Sequence, residues 1–141
     1  MNPPSRELEQ LDAIREHSKL RVLCAEDDEQ LASMLRMALE RDGHAVERVG
    51  DGVQALARIT ADVHYFDVLL TDHRMPQLSG LGLVSKLRDT AFSGAIIVHS
   101  SCLTDGEIAA YHALAVDHVL NKPVDLAELL ALIRQMGESK P

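Results

Sequence analysis

The chain has 141 residues, enough for one domain with an ordinary core; 46% are hydrophobic but only 3% aromatic, so Leu, Val, Ile and Ala must fill the interior. The 22 acids outnumber the 14 bases, and the net charge of −8, with no basic stripe or helix-turn-helix pattern, argues against direct DNA binding. No apolar run approaches the ~18 to 20 residues of a membrane span, and the polar start Asn2-Pro3-Pro4-Ser5 lacks the features of a signal peptide, so no membrane insertion and a cytoplasmic location are expected.

Residues 1–19 read as an N-terminal extension, because Leu8, Leu11 and Ile14 recur every three residues among charges and predict a helix with a narrow apolar stripe. A solvated helix capping the sheet edge is the plainer reading; the alternative is a partner-docking or dimerising helix, which would make the chain a homodimer. Leu20 to Ala25 is an apolar run ending in Glu26-Asp27-Asp28, followed by Leu31, Leu35, Ala38 and Leu39 at helical spacing until Gly43 stops the helix. The cycle repeats with His44 to Val49 and a helix carrying Val53, Leu56, Ala57 and Ile59. Phe66 to Thr71 follows, then a helix carrying Leu81, Leu83, Val84 and Leu87. Ala95 to His99 leads to a helix over Glu107 to Leu114, and Val116 to Leu120 to one over Asp125 to Met136. Five strand–helix units with near-continuous apolar strands predict a flavodoxin-like (βα)5 fold: a doubly wound, five-stranded parallel sheet of order 2-1-3-4-5 over residues 20–136, with 137–141 as a tail.

Parallel strands deliver their C-terminal ends to one edge. Glu26-Asp27-Asp28, Asp72, Ser100-Ser101 and Lys122-Pro123 each follow a different strand and are therefore expected to meet there. Carboxylates ~4 Å apart repel by about 4 kcal/mol at an effective dielectric near 20, and Mg2+ is the natural neutraliser because it prefers oxygen ligands and is held by one or two carboxylates plus a phosphate. Asp27 and Asp72 are the expected direct ligands, with Glu26 acting through water and the backbone carbonyl of Arg74 as a further oxygen. In phosphoryl transfer Asp72 can be the nucleophile, with Mg2+, Lys122 and the Ser100 hydroxyl stabilising the transferring charge. Pro123 restricts Lys122 to an extended backbone that aims its side chain at the acids. Each piece alone is weak, since acids after a strand often cap a helix; four together in chain order indicate a site.

These residues give the chain a specific resemblance. Arg21 to Asp28, Phe66 to Pro76 with Gly80, Ile96 to Ser101 and Asn121-Lys122-Pro123 resemble the receiver domain of bacterial two-component response regulators, over roughly Leu20 to Met136. The resemblance implies that Asp72 accepts a phosphoryl group from a sensor histidine kinase or a histidine phosphotransfer protein, with Glu26 and Asp27 as magnesium-binding acids. Ser100 becomes the switch hydroxyl and Lys122 its cationic partner, and a downstream protein target reads the result. The expected role is a phosphoacceptor that catalyses its own phosphorylation and dephosphorylation, not an enzyme acting on other substrates.

Three positions depart from the family pattern. Val119 replaces the Tyr or Phe three residues before the Lys, Ser101 replaces the Ala after the switch hydroxyl, and Ala115 replaces the Gly before strand five, so the fourth helix is expected to end without a left-handed cap. Arg74 is expected to influence the acyl-phosphate lifetime. Seven histidines (His17, His44, His64, His73, His99, His112 and His118) show no i, i+4 pair for a metal site. Of these, His73 and His99 adjoin Asp72 and Ser100, and strand alternation is expected to point both away from the acids. Tyr111, Ala110, Ala113 and Leu114 read as a plain apolar helix face against the sheet; the alternative, implied by the resemblance, is that with Val119 they form a face of the fourth helix and fifth strand that meets partners. Cys24 and Cys102 read as reduced thiols.

Other classes fit less well. A haloacid dehalogenase type phosphatase needs a second Asp where Arg74 stands, and a flavin module needs a Gly- and hydroxyl-rich loop where Glu26-Asp27-Asp28 would repel phosphate. A receiver module within a larger hybrid kinase or regulator, and a phosphorylation-independent scaffold suggested by Val119, remain as alternatives.

Overall fold

The computed structural model describes residues 19–138; the expected helix within residues 1–19 and most of the tail at 137–141 lie outside the described residues. Five strands, β1 (Arg21–Ala25), β2 (Ala45–Val49), β3 (Val68–Asp72), β4 (Ala95–Ser100) and β5 (His118–Asn121), alternate with five helices. These are α1 (Glu29–Arg41), α2 (Gly52–Ala61), α3 (Gly80–Leu87), α4 (Asp105–Ala113) and α5 (Leu126–Glu138). All strand pairings are parallel and the sheet order is β2-β1-β3-β4-β5, as the repeating strand–helix pattern predicts. Boundaries shift by one or two residues: β3 reaches Asp72 itself, β4 reaches Ser100, and α5 runs to Glu138 instead of stopping near Met136.

Alternation along the central strands feeds two cores. Leu23, Ala25, Leu69, Ile96 and Val98 face Ala55 and Ile59 of α2, Leu83, Val84 and Leu87 of α3 and Tyr111 of α4. Val22, Cys24, Val68, Leu70 and Ile97 face Leu35 and Leu39 of α1 and Leu129 and Ile133 of α5. All five residues of β3 are buried, so Asp72 is carried to the sheet edge on the most enclosed strand. Both cysteines are free, and burial pushes the Cys24 thiol up to about 12, keeping it an inert core side chain.

The helix starts are capped by side chains. Asp28 accepts the amides of Gln30 and Leu31, and Thr104 and Glu107 form a reciprocal capping box on α4. Asp28 is thus a helix cap, leaving Glu26 and Asp27 for the sheet edge.

The expectation for the end of α4 is corrected. Ala115 has φ 59, the amide of Val116 bonds the Tyr111 carbonyl at 3.3 Å and the amide of Ala115 bonds the His112 carbonyl at 2.9 Å. This is a left-handed Schellman cap built on alanine. The Arg88 guanidinium braces it by donating to the carbonyls of Leu114 at 2.7 Å and Ala115 at 2.9 Å.

Candidate functional site

The C-terminal edge of the sheet gathers Glu26 from β1, Asp72 from β3, His99 from β4 and Lys122 from beyond β5. Lys122 Nζ donates to Glu26 Oε1 at 3.0 Å and to Asp72 Oδ2 at 3.1 Å, so one ammonium bridges two buried carboxylates. The Lys122–Pro123 peptide is cis, and the amide of Lys122 bonds the Ser100 carbonyl at 3.0 Å, tying the two strand ends together.

The other oxygens are held by amides: Asp28 N–H donates to Glu26 Oε2 at 3.0 Å, and His73 N–H donates to Asp72 Oδ1 at 2.7 Å. Arg48, registered opposite Cys24 on β2, donates to the Glu26 carbonyl at 2.8 and 2.9 Å and to the Asp27 carbonyl at 3.2 Å. It fixes the acidic loop, a role the sequence does not signal, because Arg48 sits beside Glu47 as an ordinary charged pair within β2.

Burial pushes the Glu26 carboxyl above the ordinary carboxylate range, opposed by the Asp28 amide and Lys122 and reinforced by Asp72 and Asp27. Burial works against the Lys122 ammonium too, but Glu26 and Asp72 outweigh it and raise its pKa. Glu26 and Asp72 therefore share one lysine, and the Asp27 carboxylate beside Glu26 adds a third negative group. An all-oxygen donor set with surplus negative charge fits a hard divalent cation; the exposed Asp27 carboxylate, Asp72 and the Arg74 carbonyl are the residues that would hold it.

Not every expected residue joins the carboxylates. Ser100 is buried, but its hydroxyl makes only a long contact, 3.5 Å, with the Cys102 amide. Ser101 and the Arg74 side chain are exposed at the rim, and Val119 is half-buried against the α2–α4 core.

The two histidines part company. His73 points away from the acids, as alternation predicts: Nδ1 lies 2.6 Å from the Tyr111 hydroxyl and Nε2 2.6 Å from Glu107 Oε2. Tyr111 is fully buried, and burial with the nearby acids Glu107 and Asp72 raises its hydroxyl pKa. The residue after Asp72 is thereby wired to α4, through a tyrosine that the sequence presents only as part of an apolar face.

His99 contradicts the expectation. It is the register partner of Asp72, so it shares that residue's face of the sheet, and Nδ1 stands 3.8 Å from Glu26 Oε1. The ring is fully buried and neither nitrogen has a hydrogen-bond partner among the described residues. Burial, and then the Lys122 charge, lower its pKa to about 4, so the imidazole is neutral near neutral pH.

Gly80 completes the scaffold. Its amide bonds the His73 carbonyl at 2.8 Å, and a Cβ there would lie 2.4 Å from the Asp72 carbonyl oxygen and 2.7 Å from the Tyr111 hydroxyl. Only glycine lets α3 start this close to the end of β3.

The sequence model of the response regulator receiver domain matches residues 22–134. Response regulator MprA of Mycobacterium leprae is 36% identical over 117 residues, which are 83% of this chain and 50% of that protein. Response regulator ArlR of Staphylococcus aureus is 30% identical over 120 residues, 85% of this chain and 53% of that protein. The chain thus spans about half the length of these curated relatives. Among solved structures, a response regulator receiver protein from Pseudomonas putida superposes with a TM-score of 0.78 at 27% identity, covering 83% of this chain and 97% of that one. A receiver domain protein (CheY-like) from Methanospirillum hungatei JF-1 gives 0.80 at 22% identity, covering 85% and 94%, a likeness of fold. With sheet order, the lysine-bridged carboxylates and sequence match in agreement, the chain belongs to the response regulator receiver domain family of two-component systems.

Proposed function

We propose that Asp72 is a phosphoacceptor: a carboxylate oxygen attacks the phosphorus of a phosphohistidine on a sensor kinase or phosphotransfer protein, the P–N bond breaks, and an acyl phosphate forms. The observation that carries this reading is the Lys122 ammonium shared between Asp72 Oδ2 and Glu26 Oε1 at the end of a fully buried strand. A bound Mg2+ would supply charge neutralisation for the incoming phosphoryl oxygens. The protein's own residues do the positioning: Lys122 offers its charge to the new phosphate, and the His73 amide fixes one Asp72 oxygen so that the other faces the edge. The domain promotes its own phosphorylation and dephosphorylation, acting as a phosphoacceptor.

A phosphate adds a charge of about −1.5 to −2 next to Lys122. Lys122 must then exchange a carboxylate for phosphate oxygens, and the His73–Tyr111–Glu107 connection carries any movement of the Asp72 backbone into α4. The reader of that change is a separate protein surface, with no direct DNA contact by this acidic domain and a cytoplasmic setting; among the described residues no helix is long and apolar enough to cross a membrane.

A second reading, that the domain is one module of a longer regulator, is favoured by its spanning 50% and 53% of its relatives. Both readings need Asp72 phosphorylated. Incubation with acetyl phosphate and Mg2+, followed by intact-protein mass measurement, is expected to add one phosphoryl group to the wild type and none to Asp72→Ala. No gain in the wild type would instead support a phosphorylation-independent scaffold.

A further inference from the structure

We infer that Glu26, Asp72 and His99 form a second metal site, selective for a nitrogen-seeking divalent transition metal such as Zn2+, and deeper than the oxygen-only position offered by Asp27, Asp72 and the Arg74 carbonyl. One ligand atom from each of the three lies within 4.8 Å of the others, and all three side chains are buried. The second observation is His99 itself, a fully buried imidazole with both ring nitrogens unpartnered and Nδ1 directed at Glu26 Oε1 across 3.8 Å. A buried polar group without a partner costs stability, and a metal ion held between the ring and the two carboxylates would give it one. Tetrahedral ligands about 2.0 to 2.2 Å from zinc stand roughly 3.3 to 3.6 Å apart; atoms that lie within 4.8 Å of one another reach that geometry by closing up to about 1.5 Å.

Ligand chemistry sets the selectivity. Magnesium prefers six oxygens and keeps its waters, whereas an imidazole with two carboxylates suits zinc, nickel or copper. The resident cation in this space is the Lys122 ammonium, 3.0 and 3.1 Å from the same two carboxylates, so metal and ammonium are mutually exclusive. Lys122 is about one-fifth exposed on a flexible stem and can swing to solvent. Metal here would occupy an Asp72 oxygen and displace Lys122 together, which would block phosphoryl acceptance; that consequence, unlike the site, rests on the reading of Asp72 above.

The test is calorimetric titration of the wild type, His99→Leu and Asp27→Ala with Zn2+ and with Mg2+ separately, joined to long-range 1H–15N spectra of the histidine rings. Loss of a ligand is expected to weaken Zn2+ binding at least as much as loss of an outer-shell partner, roughly 10- to 100-fold or more, in His99→Leu with Mg2+ binding unchanged. Asp27→Ala is expected to show the converse, weaker Mg2+ and unchanged Zn2+. One equivalent of Zn2+ should shift the ring nitrogens of His99 in the wild type, a reading that needs no variant. Equal Zn2+ affinity in wild type and His99→Leu, or an unmoved His99 ring at saturation, overturns the site. Failure of Mg2+ to bind any of the three proteins would count against the phosphoacceptor reading and leave the zinc result standing.

Discussion

Replacing His99 with leucine should stabilise the protein, and more so in acid. The ring sits between Glu26, Asp72 and Lys122 with neither nitrogen satisfied. A buried donor or acceptor left unpaired costs about 1 to 3 kcal/mol, and a leucine of similar volume gives back up to about 1 kcal/mol through imperfect packing. The net gain near pH 7.5 is therefore about 0 to 3 kcal/mol, centred on about 1 to 2 kcal/mol, which is roughly 4 to 8 °C in Tm for a domain of this size. The pH dependence follows from the shift to about 4 in the folded protein against 6.5 unfolded. Between those values the unfolded chain binds the proton first, so wild-type stability is present above about pH 6.5 and is lost as pH falls toward 4. The full loss is about 3 kcal/mol, of which roughly 2 kcal/mol has gone by about pH 5. Burial of Glu26 acts in the opposite direction as its carboxyl protonates, but that group is present in both proteins and largely cancels in their difference. Urea unfolding followed by circular dichroism at about pH 7.5 and about pH 5 measures the quantity. The reasoning is refuted if His99→Leu is no more stable than wild type at the higher pH, or if the gap between them fails to widen at the lower.

Ala115→Gly relieves a left-handed alanine costing about 1 to 2 kcal/mol, offset by the flexibility glycine adds to the unfolded chain; a Tm gain of about 4 °C in a calorimetric scan is expected, and a loss would count against the cap. Gly80→Ala forces backbone apart at the Asp72 carbonyl, so a loss of at least about 2 kcal/mol in urea unfolding is expected, together with slower phosphorylation; an unchanged unfolding midpoint would contradict the close approach. Tyr111→Phe leaves the ring in the core but removes the bond to His73. It should cost about 1 kcal/mol, leave acetyl phosphate uptake unchanged and diminish the amide shifts of α4 on phosphorylation, and full-size shifts would show that the tyrosine carries no coupling.

Periodicity made the scaffold legible, because each apolar run is long enough for a parallel strand and all but β2 lead directly into residues expected at the common edge. Glu26, Asp72 and Lys122 meet as their positions predict. His99 was illegible because the expectation counted alternation along β4 from Ser100, whereas the face it occupies relative to Asp72 is decided by register between β3 and β4. The same argument worked for His73, one residue past Asp72 on the same strand exit. Tyr111 read as core, which it is, but its hydroxyl partner comes from thirty-eight residues away. Ala115 misled for another reason: a missing glycine signals a missing cap only when nothing else braces the turn, and Arg88 braces it from α3's end.

The central claim is that the acyl phosphate forms on Asp72. Borohydride reduction of the protein after acetyl phosphate treatment converts an aspartyl phosphate to homoserine, which tandem mass spectrometry locates in the peptide carrying residues 68–72. The account predicts homoserine at position 72, dependent on Mg2+ and strongly reduced in Lys122→Ala. Reduction at Glu26 or Asp27 instead, or none at all under conditions that modify a control receiver, would contradict it.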